Sequence, residues 1–340
     1  MKSLLFLTQR FRPRFEATSK EVALLARSFD GKIHDLHLDG YGKFTFNSHI
    51  FSYHFLYYLV GFFSLSLFSR NKIIHLYTSL CDRPYLPFLP KEKMIVTSAN
   101  FFRQDRIKKK MKYLSRVHTI IVQSEVQKKE LRETGMHERK IKVIYPPVDL
   151  QRFSYHKSTA TTFTILNASC PAKVRDLRKR GIYFLLDIDH SLADVTIKYL
   201  WRAGEFSKLQ KLLKSKNLKN STFENKIHTD MNFQYAQVHC TIIPYLKLDE
   251  YLKMMPTSAI ESLAAGKPVL VSSQTGIAEI VSKEKCGVVF DPNKESLLMA
   301  IAELKRNYAL YQKNCRKTAE KYFSQEHFLK KHEEMYNSLS

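Results

Sequence analysis

The stretch Pro256–Val281 reads PTSAIESLAAGKPVLVSSQTGIAEIV. A polar opening leads into a short helix-like run, a glycine, an apolar strand, a second glycine turn and a new helix start. Ser258 and Glu261 have the S-x-x-E spacing of a capping box, which predicts a helix that opens at Ser258 and stops at Gly266. The plain reading of Glu261 is that cap. The functional reading is that a carboxylate in the first turn faces whatever the strand ends present, and it can accept two hydrogen bonds at once from ribose hydroxyls. Free N–H groups behind Pro256, near Thr257 and Ser258, suit a phosphate at the helix N-terminus. The turn Ser273–Glu279 (SQTGIAE) is a second strand-to-helix junction, where Gly276 permits positive φ or close backbone approach. Its plain reading is an ordinary loop.

Outward from this stretch, strand-like and helix-like segments alternate. Strands are expected at Ser3–Thr8, Lys32–Leu38, Lys72–Tyr77, Lys93–Ser98, His118–Gln123 and Lys140–Tyr145, and helices at Ala17–Phe29, Ile50–Phe68 and Ser124–Thr134, the last opening on Ser124 as N-cap. PPVDLQRF (Pro146–Phe153) breaks the pattern. It restarts with strands at Thr161–Asn167, Val195–Leu200, Val238–Ile243, Pro268–Ser272 and Gly287–Phe290, and the tail from Leu297 reads as two or three amphipathic helices. Repeated β-α units imply parallel sheets with right-handed crossovers. Two such runs imply an α/β chain of two doubly wound domains, with the ligand site beyond the carboxyl ends of the strands and in the cleft between domains.

The chain has 340 residues, enough for two domains, and 44% of them are hydrophobic, which argues against wholesale disorder. Lys and Arg number 55 against 32 Asp and Glu, a net charge of +23. That charge speaks of anionic partners: nucleic acid, an acidic membrane face or phosphorylated substrates. Recognisable nucleic-acid modules are absent, so no nucleic-acid partner is expected. The run Arg103–Lys112 (RQDRIKKKMK) is either a solvated helix face or a patch for an anionic surface. Five widely spaced cysteines without a CxxC pair argue against a zinc site or a disulfide framework, and for a reducing cytoplasm. Met1–Thr8 is too short for a secretory leader. IFSYHFLYYLVGFFSLSLF (Ile50–Phe68) reads as a buried or interfacial helix, with an in-plane membrane helix and a span as the alternatives.

Asn167–Gly181 (NASCPAKVRDLRKRG) follows a strand and gathers Lys173, Arg175, Arg178, Lys179 and Arg180 before a glycine. Cations at a helix start work against the helix dipole, and a diphosphate would offset them. The competing reading is a solvated basic loop. No GxGxxG, GxxxxGK[ST], GxSxG or HExxH occurs, which disfavours dinucleotide dehydrogenases, P-loop NTPases, α/β-hydrolases and zincins. His75 in IIHLYTS is expected at a strand end facing the cleft, more as a packing or hydrogen-bonding residue than as a catalyst.

VQSEVQKKELRETGMHERKIKVIYPPVDLQRF (Val122–Phe153) resembles the end of the N-terminal domain in retaining glycosyltransferases of the GT-B fold, glycosyltransferase family 4. SAIESLAAGKPVLVSSQTGIAEIV resembles that family's E-x-x-A-x-G-x-P-V-V signature followed by G-x-x-E. CGVVFDPNKESLLMAIAEL and YFSQEHFLKKHEEMYNSL resemble its next strand and helix and its final crossing helix. The likeness runs in order over about residues 70–340. It implies a GT-B fold: an acceptor-binding domain over 1–150, a nucleotide-sugar-binding domain over 151–322 and a crossing helix over 323–340.

Carried onto this chain, the resemblance puts Glu261 on the donor ribose and Arg180 in the place of the diphosphate-binding lysine. The family's arginine six positions earlier falls on Val174, which leaves Lys173 or Arg175 to substitute. Thr257 and Ser258 lie where the loop meets the diphosphate, and Gly276 and Glu279 belong to the trailing G-x-x-E. Three departures follow. Lys253 stands where the first glutamate of the family's pair falls, with Glu250 or Asp249 as replacements. Ala99, beside Asn100, stands where the family has a histidine. RFRPRFEATS (Arg10–Ser19) replaces a glycine-rich loop. Asn100, Lys253, Glu250, Arg12, Arg14 and His75 are therefore candidates for sugar or acceptor contacts, and no catalytic group is assigned.

The resemblance implies transfer of a sugar from a nucleoside-diphosphate donor to a glycan, lipid-linked or cell-envelope hydroxyl, with retention. No Asp-x-Asp is present, so neither metal nor cofactor is expected. The location implied is cytoplasmic, peripheral on the inner face of an anionic membrane. A catalytically impaired nucleotide-sugar binder or scaffold is the alternative, motivated by Lys253 and Ala99.

Overall fold

The computed structural model describes residues 3–8, 11, 13, 16–35, 43–46, 49–52, 72–77, 94–98, 104–168, 176–201, 206–246 and 253–339. The chain divides into two compact units: Met1–Pro146 with Glu250–Met254 and Phe328–Ser340, and Pro147–Asp249 with Met255–His327.

The first unit contains β1 (Ser3–Thr8), α1 (Ala17–Ser28), β2 (Lys32–Asp35), β3 (Lys43–Phe46), β4 (His49–Ser52), β5 (Lys72–Tyr77), β6 (Met94–Thr97), α2 (Gln104–Leu114), β7 (Thr119–Val122), α3 (Glu125–Glu133) and β8 (Ile141–Val143). Six strands form a parallel sheet in the order β2-β1-β5-β6-β7-β8. Its strands are near-continuous apolar runs because both faces are covered. Leu5, Leu7, Ile74, Leu76, Val96 and Ile120 pack on one side with Ile107, Leu114 and Leu131 of the helices. Leu4, Phe6, Ile73, Tyr77, Ile95 and Ile121 pack on the other with Val22 and Leu25 of α1 and with Phe328, Met335 and Tyr336 of the C-terminal helix, Gln325–Asn337. Ser124 caps α3 as its sequence predicts, accepting from the Gln127 N–H at 3.1 Å.

One expectation fails here. The helix expected over Ile50–Phe68 starts in β4, whose Ile50, Phe51 and Ser52 pair antiparallel with Thr45, Phe44 and Lys43 of β3. KFTF and HIFS are aromatic and β-branched, and such segments favour a pleated ribbon over a helix. Residues 53–68 of that stretch lie outside the described ones. Among the described residues no helix is long and apolar enough to cross a membrane.

Glu21 on α1 is buried, and both its carboxyl oxygens accept from Gln123 Nε2, at 3.1 and 3.3 Å. Burial raises its pKa to about 8 against an ordinary 4.5, with the Gln123 bond opposing the shift. Folding therefore carries no ionisation penalty here well below pH 4.5, where the acid is neutral in both states. As pH climbs from about 4.5 to 8, the unfolded chain loses this proton and the native state keeps it, so stability falls across that window and levels off above it. Denaturant titrations at pH 5 and pH 8 should show the wild type losing stability between them by a few kcal/mol more than Glu21→Gln does. Equal pH slopes in the two proteins would remove the effect.

The second unit contains β9 (Phe163–Asn167), α4 (Asp176–Lys179), α5 (Ile182–Asp187), β10 (Val195–Trp201), α6 (Phe206–Ser215), β11 (Ser221–Asn225), α7 (Met231–Ala236), β12 (Cys240–Ile243), α8 (Thr257–Ala264), β13 (Val269–Ser272), α9 (Ala278–Glu284), β14 (Gly287–Phe290), α10 (Lys294–Arg306), α11 (Tyr308–Phe323) and the start of α12 (Gln325–Asn337). Its parallel sheet runs β11-β10-β9-β12-β13-β14. The core joins Ile165, Ile197, Tyr199, Ile242, Leu270 and Phe290 to the helices through Leu185, Leu209, Leu297 and Leu304. The edge strand β11 (STFEN) is absent from the sequence-based expectation, since its apolar content is low. What anchors its entry is buried Asp189, whose Oδ2 accepts from the Lys219 and Asn220 N–H groups at 2.7 and 3.1 Å and whose Oδ1 accepts from Ser221 Oγ at 2.5 Å.

Candidate functional site

In the second unit the strand order reverses between β9 and β12, both neighbours in one parallel sheet. A doubly wound sheet offers its ligand crevice at such a switch point, outside the carboxyl ends. The chain gathers polar groups there. Asn167, the last residue of β9, is buried; its Nδ2 donates to the Ile242 carbonyl of β12 at 3.2 Å, and its Oδ1 has no partner among the described residues.

The loops around it are pinned by a glycine. Gly181 has φ +67°, and a Cβ there would lie 1.8 Å from the Pro244 carbonyl oxygen. The short α4–α5 junction thus lies directly against the exit of β12. Leu246 N–H donates to the Lys179 carbonyl at 3.0 Å. Arg180 Nη1 donates to the Tyr245 hydroxyl at 3.4 Å, with the guanidinium 5.9 Å from the ring centroid. Ser272, ending β13, donates from Oγ to the Tyr245 carbonyl at 2.5 Å. Tyr245 thereby joins the ends of β12 and β13 to half-buried Arg180.

α8 supplies the carboxylate. Its N-cap is Pro256, without a side-chain capping bond, so the capping box expected at Ser258 and Glu261 does not form. Proline has no N–H, and its restricted φ suits the entry to a helix, which moves the start one residue ahead of Ser258. Thr257 and Ser258 take the first two helical positions. Glu261 sits a full turn in, partly exposed, and is left out of any capping role. Gly266 ends the helix with φ +69°, as its sequence predicts. Glu261 Oε2 accepts from the Tyr235 hydroxyl at 3.2 Å, and the same hydroxyl lies 3.0 Å from the Ser258 carbonyl. Burial, with the Glu261 charge beside it, holds the Tyr235 pKa well above 10, so this tyrosine remains a donor.

The other candidates spread out. Glu279 is exposed in the first turn of α9. Gly276 is buried in the preceding turn and is not among the positive-φ glycines, so of its two expected uses, positive φ or close backbone approach, the first is not taken. Lys253 belongs to the first unit, where its N–H donates to Glu130 Oε2 at 2.9 Å. His75 is not at a strand end. It lies within β5, fully buried, with Nδ1 2.7 Å from the Tyr336 hydroxyl and Nε2 2.6 Å from Thr97 Oγ1. Burial and nearby His332 push its pKa well below 6.5, which makes it a neutral packing residue. Its even position along β5 turns it onto the face that the C-terminal helix covers. Lys173, Arg175, Arg12, Arg14, Asn100 and Glu250 lie outside the described residues.

Residues 202–322 match the family model for glycosyl transferases group 1. No curated protein matches the chain. Among solved structures, HepE of Anabaena in complex with UDP and glucose is similar over 100% of both chains at 18% identity, with a TM-score of 0.74. Sucrose-phosphate synthase of Thermosynechococcus elongatus is similar over 99% of both at 14% identity and TM-score 0.75. The lipopolysaccharide outer core galactosyltransferase WaaB is similar over 99% of this chain and 100% of its own, at 13% identity and TM-score 0.68.

The fold is GT-B. Two doubly wound parallel sheets in one chain carry it. In this GT-B chain the family-matched segment takes in Tyr235, Tyr245, α8 with Glu261, and the turn to Glu279, whereas Arg180 and Asn167 lie ahead of it. Sequence reasoning missed Asn167, Tyr235 and Tyr245. A buried strand-end amide and two tyrosines in short apolar stretches carry no spacing signal. Only the fold brings Tyr235 to Glu261 and Tyr245 to Arg180.

Proposed function

We propose that the protein is a glycosyltransferase that moves a sugar from a nucleoside-diphosphate donor to an acceptor hydroxyl with retention of anomeric configuration. The observation that carries this reading is the Glu261 carboxylate, held by a buried tyrosine beside the helix entry Thr257–Ser258, inside the segment matched by the glycosyl transferases group 1 model. In this reading Glu261 accepts from the donor ribose, the N-terminal amides of α8 and the Arg180 guanidinium face the diphosphate, and Gly276 and Glu279 border the donor. The difficult step is departure of the diphosphate from an oxocarbenium-like centre. Fixed cations and amides that meet the developing charge supply the main stabilisation. Lys173 and Arg175 belong to the same basic stretch, and the reading assigns no metal or cofactor.

The acceptor is proposed to be a glycan or a lipid-linked sugar of the cell envelope, bound by the first unit. The similarity to WaaB, a lipopolysaccharide outer core galactosyltransferase, supports this class. We assign the protein to the cytoplasmic face of a membrane. On α2, Lys108, Lys109 and Lys112 are exposed, and Lys110 and, just past the helix, Arg116 each stand 5.9 Å from the Tyr113 ring. At about 1 kcal/mol per basic residue near an acidic leaflet, this helix alone would give weak adhesion. Vesicles containing phosphatidylglycerol should bind the protein at low salt and release it as salt rises. Charge reversal at Lys108, Lys109 and Lys112 should weaken that binding, and equal binding to neutral vesicles would dismiss it.

A second reading, a nucleotide-sugar binder without turnover, is favoured by Lys253 where the resemblance calls for an acid. Incubation with radiolabelled UDP-, GDP- and ADP-sugars and a membrane lipid extract separates the two. Labelled glycolipid or glycan, whose anomeric linkage matches the donor by NMR, supports transfer with retention. Donor binding without product supports the second reading, and failure to bind any of these donors removes both.

A further inference from the structure

The Tyr235 hydroxyl has one proton and two acceptors, the Ser258 carbonyl at 3.0 Å and Glu261 Oε2 at 3.2 Å. It comes from α7, a different element from the one that carries Glu261. That helix is held independently. Asp230 caps it by accepting from the Phe233 N–H at 3.1 Å. Lys198 of β10 reaches Gln234 Oε1 at 3.0 Å and Gln237 Oε1 at 2.7 Å. The ring of Phe153 meets the Tyr235 ring edge-on at 6.0 Å. Tyr235 is buried and the Glu261 side chain is partly exposed, so the rigid partner is the tyrosine and the adjustable one is the carboxylate.

A glutamate side chain has three torsions, and ordering it at the moment of ligand binding costs rotamer entropy. A hydroxyl that already grips one carboxylate oxygen removes part of that cost before the ligand arrives. We propose that Tyr235 is a positioning residue for a ribose diol, holding the Glu261 carboxylate through Oε2 in the orientation that meets the vicinal hydroxyls of a nucleoside diphosphate. This rests on the donor reading given above. The claim is specific to the sugar end of the nucleotide: the Tyr235 hydroxyl reaches the Ser258 carbonyl, which points along α8 away from the N–H groups that open the helix, so its loss should leave pyrophosphate recognition alone.

The test is calorimetric titration of the wild type and Tyr235→Phe with UDP, GDP and ADP, with the 2′,3′-dideoxy counterpart of whichever binds, and with inorganic pyrophosphate. Tyr235→Phe should weaken the ribonucleotide about tenfold, the size of one hydrogen bond to a charged group. It should leave the dideoxynucleotide and pyrophosphate within about twofold. In a Glu261→Ala background the same tyrosine change should add no further ribose-specific loss. An equal loss for ribo- and dideoxynucleotides, or no loss for the ribonucleotide, overturns the role of Tyr235 while the donor reading stands. A wild type that binds none of the three diphosphates overturns the donor reading and this role with it. If Tyr235→Phe does not fold, Glu261→Gln decides the matter. With its amide oxygen pinned by Tyr235 it should retain part of the ribose preference that Glu261→Ala loses, and equal preference in the two variants rejects the pinning.

Discussion

Gly181→Val should lower the thermal midpoint of the C-terminal unit by about 10 °C, the equivalent of roughly 3–5 kcal/mol in a unit of this size. The loss has two sources. A β-branched residue at φ +67° is strained by about 1–2 kcal/mol before any contact is considered. Its Cβ would also fall 1.8 Å from the Pro244 oxygen and 2.7 Å from the Pro244 carbonyl carbon, and a backbone carbonyl has no side-chain torsion through which to give way. The exit of β12 must therefore move, and Tyr245 with it. Nucleoside diphosphate affinity should fall together with stability. Gly135→Ala is the internal control: its φ is +97°, yet nothing among the described residues lies within 4 Å of the added carbon, so only the backbone strain remains. Differential scanning calorimetry of the two variants checks the contrast, and similar midpoints for both would refute the close approach at Pro244.

Glu261→Ala should leave the fold intact and reduce affinity for a nucleoside diphosphate about 100-fold, from the loss of two charge-assisted hydrogen bonds at about 1.5 kcal/mol each. Stability should change little, because Glu261 is partly exposed and forms no helix cap, and Tyr235 keeps the Ser258 carbonyl as an acceptor. Titration calorimetry with UDP, GDP and ADP, beside a thermal melt without ligand, reads both quantities. Undiminished affinity would take Glu261 out of the site and remove the main support for the donor reading.

Individual strands and helices show how far local signals reach. Strands β1, β5, β7, β13 and β14 are legible because strands buried on both faces are continuous apolar runs, and α3 is legible because Ser124 supplies a side-chain cap. The start of α8 misled because S-x-x-E spacing is necessary for a capping box and not sufficient; the proline two residues before the serine sets the start instead. His75 misled for a related reason. A strand's period of two tells that a side chain faces one side, and only the packing of a helix distant in sequence decides whether that side is open or closed. The donor half of the candidate site was half legible. Glu261 and Arg180 stand in recognisable stretches, but their partners Tyr235 and Tyr245 come from other crossovers, where no pattern announces them.

The N-terminal unit carries Phe328, Met335, Tyr336 and Leu339 in the same cluster as Leu4, Phe6 and Ile73. Its first strand is made well before the helix that packs on it, with almost all of the other unit's sequence made in between. This half therefore cannot reach its finished packing until Phe328–Leu339 have been made, by which point the other half has its whole sequence. The order of maturation is reversed relative to the order of synthesis. Until that helix is made, the part of the sheet face that α1 leaves open stays exposed, and holdase chaperones have their longest opportunity there.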